Sequence, residues 1–458
     1  MTFNPETAAI RFGTGLSPVH APPASVDEML SQLAGPDKMA ERFTISTFAQ
    51  IEGVMETVRV LNKTRRNDPS KGAEIKQQIS RLRKRARLQQ IKGLQANMAR
   101  GMYTEDGFRE RLVRFWADHF TVKGKNSLWR TAVAPFVEEA IRPNITGSFA
   151  EILKAATFHP MMLMFLDQVN SVGPNSVVAV RNPKRGINEN LAREVLELHT
   201  LGVDGAYSQT DVYELAKLFS GLTYRRKGGF TYVPRMAEPG PETVLGKSYG
   251  GYIQDLFHVT DFLDDLAVHP DTARHLARKL VVHFVSDDPD EAYVAHVASA
   301  YRVSGGDLMA TYRAMLTHDA AWAMPSTKVK QPIDFVISSL RALDLKDQRF
   351  TDLNWKKIRT LVVAPMGLMG QMWENPTGPD GWAEAAEHWI TPQGLAARIG
   401  WAMTVPLLLR PKLPEPVRLA QTALGGRLSP ALLRACGESD DKTDGVGLVF
   451  ASPEFQRN

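Results

Sequence analysis

The chain has 458 residues, 43% hydrophobic and 23% charged, with 55 basic against 50 acidic side chains and a formal charge of +5. Such a composition belongs to a folded globular protein with a sizeable core, one large domain or two to three smaller ones. The mild positive charge permits an acidic partner without demanding one, and the lone cysteine, Cys436, excludes an internal disulfide and any Cys-based metal centre.

The opening stretch MTFNPETAAIRFGTGLSP lacks a basic segment followed by an apolar run, so it does not read as a signal peptide. On that ground the chain is expected in the cytoplasm, although a disulfide-free exported protein fits the cysteine count equally well. The longest strongly apolar run, MMLMFL at 161–166, is too short to span a bilayer. Residues 1–25 are Pro-rich and expected to be irregular. Two helices are expected over 26–62, with Ser25 as an N-cap. Residues 72–100 form a basic amphipathic helix. Ile75, Ile79, Leu82, Leu88 and Ile91 make its apolar stripe, with Lys and Arg around it. A solvated face is the plainer reading of that charge, because base-stacking aromatics are missing.

A helix over 104–120, capped by Thr104, carries RFWADHF at its end. Asp118 and His119 there sit beside Phe115, Trp116 and Phe120. They suit a base or a metal ligand, or equally a capping acid and a packed histidine. Further helices are expected at 130–142, 148–156 and 160–169, with His159 as a turn residue before Pro160. After a Gly/Pro/Asn loop at 171–187 comes GINENLAREVLELHTLGVDG, residues 186–205, the stretch richest in chemistry.

At 100° per residue, Glu189, Asn190, Arg193, Glu194, Glu197 and Thr200 share one arc of a 188–201 helix. Leu191, Ala192, Val195, Leu196 and Leu198 share the other. His199 falls in the apolar arc, so it must be neutral and hydrogen-bonded, or bound to something. Glu189–Arg193 and Arg193–Glu197 have ion-pair spacing. The spacing excludes a Glu-x-x-His di-iron motif, and no H-E-x-x-H occurs.

The next elements are a helix over 209–220 capped by Ser208 and a hairpin over 222–233 pivoting on Gly228-Gly229. Helices follow at 252–265, 270–285, 290–303, 306–318 and 329–343. The 270–285 helix and its start hold His269, His275 and His283, which do not share one face, and Arg274, Arg278 and Lys279, suited to an anionic ligand or to a surface ion pair. The loop 369–389 holds Trp382, His388 and Trp389, either a groove for a stacked ligand or a rigid packed loop. No Walker loop, G-x-G-x-x-G after a strand or G-x-S-x-G elbow appears, so no nucleotide cofactor is expected.

Several segments together resemble a bacterial family known as domain of unknown function 1800: IRFGTGLSP, RLVRFWADHF, FHPMMLMFLD, INENLAREVLELHTLGVDGAYSQTDVYELAKLFSGLTY, VLGKSYGG, FLDDLAVHPDTARHLARKLVVHFVSDDP, KQPIDFVISSLRAL and MGQMWENPTGPDGWAEAAEHWI. The resemblance covers nearly the whole chain. It marks Asn188, Glu189, Asn190, Arg193, Glu194, Glu197 and His199 as a hallmark string without giving them a role. It implies that members are often exported, which keeps the periplasm open, and that their genes neighbour one for a sulfatase-like protein.

The expected fold is mainly α. An irregular segment 1–25 precedes one helical domain over 26–410 with a small β-hairpin insertion, and 411–458 forms a helical extension. The expected site brings the 188–199 helix against the 114–120 helix. Glu194, Glu197, His119 and Arg193 then form a polar centre oriented by Asn190, with Trp116, Trp382 and Arg278 as substrate contacts. It would do acid/base chemistry, or hold a divalent metal through His119 and Glu194, on a polar, anionic substrate. The rival reading is a non-enzymatic binding protein for the sulfatase-like protein or a cell-envelope polymer. On that reading the same helix is a buried salt-bridge network that holds the fold.

Overall fold

The structure, a computed structural model, describes residues 2–226, 229–323 and 327–458. It is mainly helical, with two small antiparallel hairpins. No helix among the described residues is long and apolar enough to cross a membrane.

Two hydrophobic clusters organise the helices. The larger gathers side chains from Ala8 to Trp322, including Trp116, Phe120, Phe149 and Phe284. The smaller joins Leu94–Met102 to residues between Ile333 and Phe455. It runs across residue 410 without a break, through packing of helix Pro392–Leu409 on helix Lys442–Ala451. Helix Gly72–Tyr103 belongs to both patterns. Its far half is buried on helix Pro332–Ala342, and its near half pairs with helix Phe48–Asn67 through Val58, Ile75 and Ile79. Of the expected stripe, Leu88 instead lies 39% exposed among arginines.

Local chemistry explains most boundaries. Ser25 caps Val26–Ala34 by accepting from Glu28 N–H, and Ser208 with Asp211 forms a capping box for Gln209–Leu218. Helix Gly107–His119 is capped by Asp106 rather than Thr104, because the Asp106 carboxylate reaches Arg109 N–H at 3.0 Å. The stretch 26–62 holds Val26–Ala34 and Lys38–Arg42 and then runs into Phe48–Asn67, one helix more than expected. Residues 5–12, expected to be irregular, are helical and place Phe12 fully inside the larger core, where it stacks on Phe284. Their hydrophobic side chains outweigh the surrounding prolines.

The expected hairpin pairs Leu222–Arg225 with Gly229–Tyr232, in register Leu222 to Tyr232. Gly228 lies outside the described residues, and Gly229 starts the second strand. A second hairpin, Gly240–Val244 with Lys247–Gly251, was not foreseen. Its two-residue turn, Leu245-Gly246, has positive φ at both positions, and a leucine there hides the usual Asn-Gly signal.

Candidate functional site

Between the two clusters runs a polar seam. Helix Gly107–His119 enters it with Arg111, Arg114, Asp118 and His119. Helix Pro270–Phe284 brings His275, Lys279 and His283, and the loop after 378 brings Asp380, Trp382 and Glu384.

Helix Asn190–Glu197 meets this seam at its C-terminal end. That end is widened: the amides of Leu198 and His199 both donate to Glu194 O at 2.9 Å, and Leu201 N–H donates to Leu196 O. Gly202, at φ +89°, then turns the chain, and a Cβ there would stand 2.9 Å from His275 Nδ1. The carbonyls a helix end leaves without partners are met by two imidazoles. His119 Nε2 donates to His199 O at 3.1 Å, and His275 Nε2 donates to Leu198 O at 3.2 Å. His119 and His199 stand 6.0 Å apart by ring centroids, and His119 and His275 6.3 Å.

All three histidines are neutral. Burial, with the nearby Lys279 charge, pushes His199 down to about 3 and His275 to about 4, and His119 well below its ordinary value. With Nε2–H fixed on a carbonyl, His119 keeps its lone pair on Nδ1, which is buried and unpartnered. His199 Nδ1 is likewise buried and unpartnered. His199 is neutral in the apolar arc as expected, but the hydrogen bond expected with it is missing at Nδ1.

Carboxyl groups flank this cluster. Burial raises Asp118 to about 7, assisted by the Glu384 charge. Asp118 accepts Trp382 N–H with both oxygens, at 3.0 and 3.2 Å. Gly381, at φ +82°, allows that approach, since a Cβ there would lie 2.7 Å from the carboxylate. Burial also raises Glu194 to about 7, followed by repulsion from Glu197, and the Asp380 charge raises both Glu194 and Asp118. Lys279 is lowered by burial against the attraction of Asp118, Glu384 and Asp380. Burial alone would raise Glu384. His283, at 2.7 Å, and Lys328, at 2.9 Å, outweigh it and hold the carboxylate well below its usual range.

The expected residues therefore divide. His119 and Glu194 sit around the same helix end, and Trp382 closes on Asp118. Arg193 does not join them. It faces outward, half exposed, bridging Glu189 at 3.2 Å and Gln209 at 2.8 Å. Asn190 is exposed on the same side. Both lie on the N-terminal part of the polar arc, which faces solvent, so the Glu189–Arg193 pair is not a buried salt bridge, whereas Thr200 at the far end of the arc is buried. Glu197 is partly buried and bonded to Tyr207. Trp116 is fully buried with its N–H on Tyr312 at 2.6 Å, so it packs the core and is not a substrate platform. Arg278 is exposed and pairs with Glu291 at 2.6 Å. Among the described residues no group of three or more His, Cys, Asp or Glu side chains is placed to hold a metal ion.

Asp380 and Glu384 were not singled out from sequence; His275 and Lys279 were noted on their helix, Lys279 as a cation for an anionic ligand, but not placed in the expected site. One signal was available: His275 and Lys279 are four apart and share a helix face.

The fold and its seam define a large, mainly helical protein with a buried acid, histidine and lysine centre. Residues 7–457 match the sequence profile described as Protein of unknown function (DUF1800), and the chain belongs to that family. Comparison with curated proteins and with solved structures finds no match.

Proposed function

We propose that the chain is an enzyme doing acid/base chemistry on a polar, anionic substrate at the junction of the helix ends 118–119 and 194–199 with the loop 380–384. The observation supporting it is the pair of carboxyls, Asp118 and Glu194, each raised to about 7 by burial with the Asp380 charge adding to both, and with Lys279 acting on Asp118. A group titrating near neutrality can both take and give a proton under working conditions, which is what general acid/base catalysis needs. Lys279, a cation in a partly buried setting, supplies attraction for an anion. The neutral His119 and His275 hold the helix end in place through its carbonyls and add no competing charge.

The test is a turnover screen against phosphate and sulfate monoesters and other anionic substrates, run on wild type, Glu194→Gln and Asp118→Asn. Thermal unfolding is followed in parallel. Turnover falling about 100-fold or more in both variants, with folding retained, is expected, the usual scale for loss of a general acid or base. Wild-type turnover in Glu194→Gln overturns the reading.

A second reading, a protein-binding role, draws on one observation. Tyr252, Ile253 and Phe257 are 99%, 81% and 64% exposed and close in sequence beside the second hairpin. The family resemblance offers the sulfatase-like protein as the partner. Co-purification lost in Tyr252→Ser/Ile253→Ser would support it, and undiminished co-purification would end it.

A further inference from the structure

The seam also contains a cavity whose lining shares Asp118 and Trp382 with the acid/base centre but does not include Glu194. It has a volume of about 140 Å³, bounded by apolar side chains that include Val113, Ala117, Phe136, Ile333, Met366 and Trp382. That volume is comparable to the roughly 150 Å³ apolar cavity known in another protein to take up benzene. The walls here are not purely apolar. Arg114 Nε and Nη1, Trp373 Nε1, Asn97 Oδ1 and Glu374 Oε1 belong to residues lining the cavity, are shut off from solvent and have no hydrogen-bond partner. Buried polar groups are nearly always partnered, so five such atoms on residues that line one space point to a polar occupant.

The charge at the cavity says which kind. Arg114 keeps one nitrogen on Asp334 at 2.9 Å, and Arg111 shares that single carboxylate at 3.7 Å. Two guanidinium groups thus face one counter-ion. Glu138, another lining acid, is held by Arg100 at 2.5 Å. Glu374 is raised to about 8 by burial, so its carboxyl is mostly neutral at pH 7. Glu374 also holds a left-handed backbone, φ +52°, an uncommon state for a residue with a side chain and one met often at ligand-binding loops. Asp118, the remaining acid of the lining, is raised to about 7 by burial and is set against Lys279, so the charge left uncompensated is Arg114's, and the free donors belong to Arg114 and Trp373.

We propose that this cavity binds a small amphipathic carboxylate, its aromatic ring or short aliphatic body against the apolar walls and its carboxylate accepting from Arg114 and Trp373. Met372 and Trp373 also line a neighbouring groove that carries Arg83, Lys84, Arg87, Arg130 and Arg359. Such a basic approach concentrates anions at the entrance. A neutral ligand of the same shape leaves the guanidinium excess uncompensated and binds more weakly.

The experiment is calorimetric titration of the full chain with benzoate, and with benzamide as the uncharged counterpart. Saturable one-to-one binding of benzoate is expected, with benzamide weaker by about tenfold or more. Arg114→Gln loses benzoate binding. Because that change also breaks the bridge to Asp334, Ala117→Leu is titrated beside it, since this variant narrows the cavity and leaves every charge in place. Its benzoate affinity falls by about tenfold or more with the circular dichroism spectrum unchanged. Glu194→Gln, away from the cavity, binds benzoate as wild type does, so failure of the acid/base reading leaves this proposal standing. No saturable binding up to about 10 mM benzoate, beyond the millimolar range expected of so small a ligand, overturns it. So does undiminished binding in both Arg114→Gln and Ala117→Leu. Equal affinity for benzoate and benzamide overturns the carboxylate assignment.

Discussion

Arginine and glutamate meet in two very different places in this molecule. On helix Asn190–Glu197, Arg193 and Glu189 lie 3.2 Å apart with about a third of each side chain in solvent. At Arg142, the guanidinium is enclosed between Glu110, 2.6 Å away and 1% exposed, and Asp37, also at 2.6 Å. The residue types are the same, and their distances are similar. Water screens the first pair, which adds little stability. The second has no water to fall back on, so each partner depends on the others. The difference teaches that the ion pair on the outer face of the hallmark string adds little to the fold, whereas the one around Arg142 is a structural requirement.

The sharpest way to break this contrast is Glu110→Ala. It leaves Arg142 buried with only Asp37, and chemical denaturation should show a loss of about 3–5 kcal/mol. A loss below about 1 kcal/mol would make the two pairs equivalent and remove the distinction. The intermediate case is Glu194, raised from 4.5 to about 7. Its folded value lies above its unfolded one. The stability it contributes is therefore complete below pH 4.5 and is lost as pH rises through about 7. Relative to Glu194→Gln, wild type should lose unfolding free energy between those two values and stay level above them. A difference independent of pH would mean that Glu194 titrates normally. The smallest effect is expected from Arg193→Ala, within about 0.5 kcal/mol by the same denaturation measurement, because its pair is half exposed.

Most of the helices were legible in the sequence because a 3.6-residue apolar period and Ser or Asp caps are local signals. The helix capped by Ser208 and the neutral His199 followed from such rules. What failed was of two kinds. Leu245 concealed a turn that Asn or Gly would have announced. The site was legible only in part. His119 and Glu194 were chosen by residue type, and they do approach one helix end. Arg193 and Asn190 were chosen with them because they share a string, but sharing a polar arc is what sends them to solvent. Asp380, Glu384 and Lys279 reach the seam from far along the chain. Glu374 and Asn97 gain their interest only from burial. No local pattern encodes either.

Three arginines to which the sequence analysis gives no role carry a last consequence. Arg341 donates to the carbonyls of Gly15, Met102 and Thr104; Arg109 donates to those of Gln32, Leu33 and Gly35; and Arg11 donates to Ala321 and Ala323. The Arg11 and Arg341 contacts close loops of more than 230 residues. Closing such loops costs entropy before any contact repays it, and contacts of this span slow folding. These struts are therefore expected to lock late, after the helices they join have formed. The residues around Phe12 would then seat near the end of folding, as the fastener between the first and last thirds of the larger core.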